Sequence, residues 1–298
     1  MNVGITGASG FLGSAIIAEC KGRGWTVVAF SRRPERGVGG ADSVRSLADP
    51  GAMDLNDLDA LIHLAGETIS ALWTKDRKRR IHESRVDLTN DIVEAIAGIT
   101  RSRRPAVLVS ASAVGFYGDR GDEVLDEESD VGFGFLAQVC RDWESASAKA
   151  VKLGVRVVNP RIGLVLGREG FLKKLRPLFK LCLGGRLGRG NQWMSWIHVA
   201  DLAKIFVECV ANPSLHGPVN CVAPNPVTNR EFTAVYARVL GRKAWFPVPA
   251  VILSRLPGGM GRLFLDGQRA EPIVLKAFGF QFEFSDLETA LRDVECKV

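Results

Sequence analysis

The chain carries six cysteines, Cys20, Cys140, Cys182, Cys209, Cys221 and Cys296, yet no CxxC pair and no histidine at metal-ligand spacing from any of them. That excludes a disulfide frame and a zinc site, and we expect no metal. The thiols read as small apolar core residues in a reducing compartment. No apolar run approaches the roughly 18 residues that a membrane span needs. No basic-then-apolar leader precedes Asn2-Val3-Gly4-Ile5-Thr6, which already reads as a strand. A cytoplasmic protein with no membrane partner is the expectation. Repeats and low-complexity tracts are also lacking, which argues against solenoids and disordered linkers. The positive excess is small, +6 net, and too diffuse to demand nucleic acid; an anionic cofactor would balance it equally well.

What is present is an ordinary globular balance, 46% hydrophobic and 24% charged over 298 residues, enough for one large domain or a domain and a half. Apolar runs alternate with helical patterns. Residues 2–6 read as a strand, 11–22 as a helix, and 26–30, 60–65, 106–110 and 155–158 as further strands. A long helix is predicted from about 75 to 97, where Ile81, Val86, Leu88, Ile92, Val93 and Ile96 recur near 3.6-residue spacing. Nearly continuous apolar strands separated by helices predict a doubly wound parallel sheet, an α/β fold covered on both faces. Beyond about residue 165 the pattern changes to Gly-rich loops and short Pro-rich elements. We expect residues 1–165 to form a dinucleotide-binding domain. Residues 166–298 would form mainly a smaller, discontinuous α+β lobe over the carboxyl ends of the strands, with segments returning to the sheet.

Thr6-Gly7-Ala8-Ser9-Gly10-Phe11-Leu12-Gly13 joins the first strand to the first helix. Gly7 permits the tight turn, Gly10 lets the backbone approach a pyrophosphate, and Gly13 allows close helix–strand packing. The helix amino end then offers free N–H groups and a partial positive charge to phosphate. At the end of the second strand, where an acidic residue would bind the ribose 2′-hydroxyl of NAD, stands Ser31-Arg32-Arg33. A hydroxyl and guanidinium forks suit a 2′-phosphate instead, so the predicted cofactor is NADP(H).

With His63-Leu64-Ala65-Gly66, Ser110 through Gly118, Pro160-Arg161-Ile162-Gly163 and Trp196-Ile197-His198-Val199-Ala200-Asp201, the whole chain resembles the extended short-chain dehydrogenase/reductases. The segments 135–144, 190–198 and 265–280 are similar to an atypical branch, the "epimerase family proteins". The resemblance implies NADP(H) contacts at Ser31, Arg32, Leu64, Ala65 and Arg85. Ser9, Phe11, Leu12 and the three turn glycines join that expected set, as do Arg80 and Arg161. The chemistry departs from the superfamily, which uses a Tyr with a Lys one helical turn later; the lysine charge lowers the phenol's pKa. Only Tyr117 and Tyr236 exist, followed at that spacing by Gly121 and Leu240. Aligned on Glu144, the two positions fall on Leu136 and Cys140.

Ser112, just past a strand's carboxyl end, is the first catalytic candidate, with a hydroxyl satisfying loop backbone as its plainer role. Tyr117, the phenol nearest that loop, is a candidate replacement proton donor, with packing as the alternative. Cys140 reads as core, His198 as substrate contact or structural histidine, and Asp201 as a helix cap. Arg186, Arg189 and Arg269, with Trp193 and Trp196, suggest an anionic, ring-bearing small-molecule substrate such as a nucleotide sugar. Two functions stay open: an NADP(H)-dependent oxidoreductase or epimerase-like enzyme, and a regulatory module that binds NADP(H) with little turnover. A homodimer is open as well.

Overall fold

The computed structural model describes residues 1–296. Five parallel strands come from the first part of the chain: β1 (Asn2–Thr6), β2 (Thr26–Ser31), β3 (Ser43–Ser46), β4 (Ala60–His63) and β5 (Val107–Ser110). Later segments add β6 (Arg156–Ile162) and β7 (Gly217–Cys221). Their order is β3-β2-β1-β4-β5-β6-β7, and every neighbouring pair is parallel. The order reverses between β1 and β4, which opens the crevice where ligands bind in such sheets. Helices cover both faces. On one lie α1 (Phe11–Gly22) and a helix from the second half, α6 (Val199–Ala211), burying Ile16, Ile17, Ile205 and Phe206 against Val3, Ile5 and Val109. The other face packs Leu61, Leu108 and Phe30 against Ile92, Val93 and Ile96.

The long helix expected over 75–97 is two, α2 (Lys75–Glu83) and α3 (Val86–Gly98). The break falls at Ser84–Arg85. Ser84 Oγ donates to the Ile81 carbonyl and accepts the Glu67 N–H, while Arg85 Nη1 donates to the Ile81 and Glu67 carbonyls. Side chains that bond the local backbone compete with continued helix, and hydrophobic spacing does not register that competition. Two edge strands also escaped the pattern. β3 (Ser-Val-Arg-Ser) has one apolar side chain, and β7 carries Pro218, which an edge tolerates.

The remaining helices are α4 (Phe135–Ala148), α5 (Phe171–Lys180), α7 (Asn229–Val239), α8 (Ala250–Ser254), α9 (Arg262–Leu265), α10 (Ile273–Phe278) and α11 (Leu287–Cys296). Among the described residues three two-stranded ribbons add to the sheet, and one of them, Arg269–Ala270 with Val124–Leu125, ties the second half back to the first. The other two pair Trp196–His198 with Leu164–Leu166 and Trp193–Met194 with Val227–Thr228. A separate core beneath this lobe gathers Phe179, Trp196, Phe232, Tyr236 and Leu291. No helix among the described residues is long and apolar enough to cross a membrane.

Candidate functional site

At the β1–β4 crevice the chain builds a groove of about 1070 Å³. Gly7 has φ +69°, and a Cβ there would lie 2.9 Å from the Leu64 carbon and the Ala65 nitrogen. At Gly13 a Cβ would meet the Gly7 and Ala8 carbonyls at 2.5 Å. Both glycines therefore let α1 and the end of β4 close on the turn. Gly10, extended at φ −81°, would crowd only the Gly7 carbonyl, so its open side faces the groove. Thr6 locks the floor: its hydroxyl bonds His63 Nδ1 at 2.7 Å and accepts the N–H groups of Leu64 and Ala65. No side chain caps the first turn of α1, which leaves its N–H groups for an anion.

The groove is lined by Gly7, Ser9, Gly10, Ser31, Arg32, Leu64 and Ala65 from the sequence-predicted set. Arg33, Arg36, Gly66, Glu67, Ser84 and Leu88 join them. Arg36 was legible only as one more arginine; the turn Pro34–Arg36 after β2 swings it onto the same lip. Phe11 and Leu12 lie on α1 outside the lining. The Phe11 ring leans on Gly170 of the second half, whose Cβ position is 3.6 Å from it. Arg80 is exposed on α2 and off the groove. Arg85 backs the groove from beneath Gly66, its guanidinium 5.3 Å from the Trp143 ring. His63, wholly buried, is pushed down to about 3 by burial, with the Arg85 charge adding to the shift, and so stays neutral.

Beside the carboxyl ends of β5 and β6, where such folds do their chemistry, lies a buried polar network. Ser112 Oγ donates to Glu144 Oε1 at 2.6 Å, and the Arg161 fork closes on the same carboxylate with two bonds of 2.9 Å. Arg161 Nη1 also donates to Tyr117 Oη at 2.9 Å; that hydroxyl donates to Asn220 Oδ1 at 2.6 Å. These bonds involve three of the expected site residues. Tyr117 is wholly buried, its hydroxyl donates to Asn220, and burial pushes its pKa up to about 12, which together favour the packing role. The Arg161 side chain is 4% exposed and is held by Glu144 and Tyr117. Ser112 is 2% exposed with its proton on Glu144, which makes it a tie between β5 and α4.

Along α4, Leu136, Cys140 and Glu144 repeat every four residues and so share one face. Cys140 is buried and its thiol is raised to about 12 by desolvation. Leu136 opens instead on a second cavity of about 500 Å³. Its walls come from Ala113–Gly115, Ile162–Leu164, Trp73, Trp193, Met194 and Phe264. Asp266 is the one carboxyl in that lining; burial and the neighbouring Asp119 raise its proton affinity, which Arg262 partly opposes. Sequence reasoning gave Asp266 no role, because the lobe that turns it inward is built from distant segments. The expected anion-binding arginines Arg186, Arg189 and Arg269 do not line the cavity, and Arg269 stacks 4.5 Å from the Trp193 ring. Trp196 is buried with its Nε1 on the Asn225 carbonyl. His198 accepts the Ala200 N–H at the start of α6 and pairs with Asp293, and Asp201 holds the Glu283 and Phe284 amides; both are structural.

Residues 3–221 match the model of the NAD dependent epimerase/dehydratase family. The chain belongs to that family. Residues 248–294 match a domain of unknown function, DUF1731. The chain is similar over 99% of its length to the "Epimerase family protein SDR39U1 homolog, chloroplastic" of Arabidopsis thaliana, at 37% identity and 86% coverage of that protein. Identity to the "Epimerase family protein YfhF" of Bacillus subtilis is 36%, covering 98% of this chain and 97% of that one. Among solved structures, human epimerase family protein SDR39U1 (isoform2), crystallised with NADPH, superposes with a TM-score of 0.91 at 31% identity, covering all of both chains. Family membership thus agrees with the glycine turn and the parallel sheet.

Proposed function

We propose that this protein binds NADPH in the β1–β4 groove and reduces a carbonyl compound held in the adjoining 500 Å³ cavity. The human relative crystallised with NADPH supports the cofactor, as does the groove itself. Ser31 with Arg32, Arg33 and Arg36 gives its β2 end a basic lip, and no carboxylate from β2 stands there to claim a ribose 2′-hydroxyl. The observation that carries the enzymatic reading over the regulatory one is the cavity, which abuts the segments after β5 and β6 and is walled by the second lobe. A reporter of cofactor status needs no such compartment.

NADPH, when bound, supplies a hydride. The protein's part is to orient the carbonyl, exclude water and deliver a proton to the oxygen. Leu136 stands where the usual phenol would, so it offers packing and no proton. Asp266 is our candidate donor, since it lines the cavity and burial favours its protonated form. A single protonated carboxyl suits one-way reduction. Epimerisation needs a group that removes a hydroxyl proton and later returns it, and we expect turnover of UDP-galactose to be undetectable.

The test is NADPH oxidation across a panel of carbonyl compounds, beside cofactor titration by nicotinamide fluorescence. Arg32→Ala should weaken NADPH about tenfold and leave NADH unchanged, the worth of one charge-assisted hydrogen bond. Asp266→Asn should slow reduction roughly 10²–10⁴-fold with NADPH affinity intact. Wild-type turnover should fall as pH rises through the raised Asp266 pKa, because the proton to be donated is then lost. Equal affinity for both cofactors, or rapid epimerisation, overturns the reading.

A further inference from the structure

Taking the carbonyl-reductase reading as its base, we infer that the second cavity selects an apolar, ring-bearing compound that carries a single anionic group, and not a nucleotide sugar. The cavity is apolar by construction. Trp73, Phe135, Leu136, Met194 and Phe264 face it, while Phe133, 90% exposed, leaves a bare ring at its mouth. A sugar nucleotide brings a row of hydroxyls and two phosphates that need polar partners, and each one buried without a partner is costly.

The polar side chains of this lining are mostly committed to the wall. Gln192 Nε2 donates to the Leu187 and Phe264 carbonyls, Gln268 Nε2 to the Gly118 carbonyl, and Ser195 Oγ to the Gln268 carbonyl. Asn229 takes the Leu187 N–H and reaches toward Met194 sulfur. Two cations of the lining are left, and both border the start of α4. Lys78 Nζ sits 5.1 Å from the Phe135 ring centroid, and Arg262 Nη1 lies 3.4 Å from where a Cβ of Gly134 would stand. Gly134 and Phe135 are neighbours at the start of α4, so both charges flank the same edge of the cavity. Neither cation has a carboxylate within ion-pair distance among the described residues; Lys78 is held only over the Trp73 and Phe135 rings. Asp266 opposes an anion, but its raised proton affinity blunts that opposition. A carboxylate or sulfate between Lys78 and Arg262, with its ring among the aromatic walls, satisfies every feature at once. The cavity's size suits a compound of one or two rings.

The experiment is calorimetric titration of the full chain, saturated with NADP⁺, which cannot deliver a hydride, using three probes and one competitor. The probes are 4-phenyl-2-oxobutanoate, its methyl ester, and pyruvate; the competitor is UDP-glucose. The aryl keto acid should bind at least about tenfold more tightly than either the neutral ester or the ring-less acid. Lys78→Ala and Arg262→Ala should each remove most of the preference for acid over ester while leaving the ester unchanged. Phe133→Ala should weaken acid and ester alike. Leu136→Trp, which fills the cavity, should abolish binding of both; the cation variants carry the test if it does not fold. Equal binding of acid and ester, indifference to both cation substitutions, or displacement by UDP-glucose overturns the inference. Since binding is read without turnover, an absence of NADPH oxidation would count against the proposed reaction and leave the ligand class decided by these titrations.

Discussion

The two cavities of this protein are built on opposite plans. The groove at the β1–β4 reversal is made by a local turn, and most of its lining sits within a few residues of Gly7, Ser31 or Leu64. The second cavity draws on segments near residues 70, 115, 135, 163, 193 and 262, brought together only when the lobe folds over the sheet. The first is basic and backbone-rich; the second is walled by aromatics and has lost the usual acid–base pair from α4. A cofactor common to many reactions can be held by a fixed turn. A substrate particular to one reaction is recognised by side chains that must be assembled, and that is where this chain departs from its superfamily.

Substitutions that strike one plan and spare the other break or sharpen this contrast. The largest effect should come from the network behind the second cavity. Glu144→Ala leaves the Arg161 guanidinium buried without its carboxylate and frees the Ser112 hydroxyl, and should cost about 3–5 kcal/mol of stability in urea unfolding. At temperatures where the variant is folded, its NADPH affinity should stay within a few-fold of wild type. A neutral stability change would mean that the ion pair is not what ties α4 to β5 and β6.

Gly10→Val strikes the groove. The extended backbone at Gly10 accepts a branched side chain, so circular dichroism should be unchanged, while NADPH binding should weaken at least about 100-fold. Binding of the aryl keto acid to the variant should persist if the two cavities are as separate as their construction. Unimpaired NADPH binding would show that the pyrophosphate does not approach this turn.

A smaller effect is expected from His63, which lies under the groove floor. Its folded pKa, about 3, is depressed below the unfolded value of 6.5. The unfolded chain therefore takes up a proton that the fold refuses. The contribution is intact above pH 6.5 and shrinks as pH falls toward 3, by up to about 1.4 kcal/mol per pH unit. His63→Gln, which does not titrate, should flatten the fall in stability between pH 6.5 and 5 relative to wild type. Parallel curves would show that His63 is protonated in the fold or does not bear on stability there.

The amino-acid sequence by itself determined the parallel, doubly wound character of the sheet, the glycine turn and the basic residues at the end of β2. These are local: a strand period, a positive-φ glycine and a charge next to a strand end are each set within a short stretch of chain. The absence of a Tyr–Lys pair was equally plain. Tertiary structure alone decided what the remaining polar residues do. Arg161 looked like a site residue through the family resemblance and Tyr117 as the phenol nearest the Ser112 loop, yet both side chains turn inward and bond Glu144 and Asn220. Asp266, Lys78 and Arg262 drew no site role from the sequence, because a lone carboxylate or surface cation has no pattern until a wall closes around it. Whether a polar group is spent or free depends on its partners in space, and partners as distant as Tyr117 and Asn220 are settled by packing, which no local period encodes.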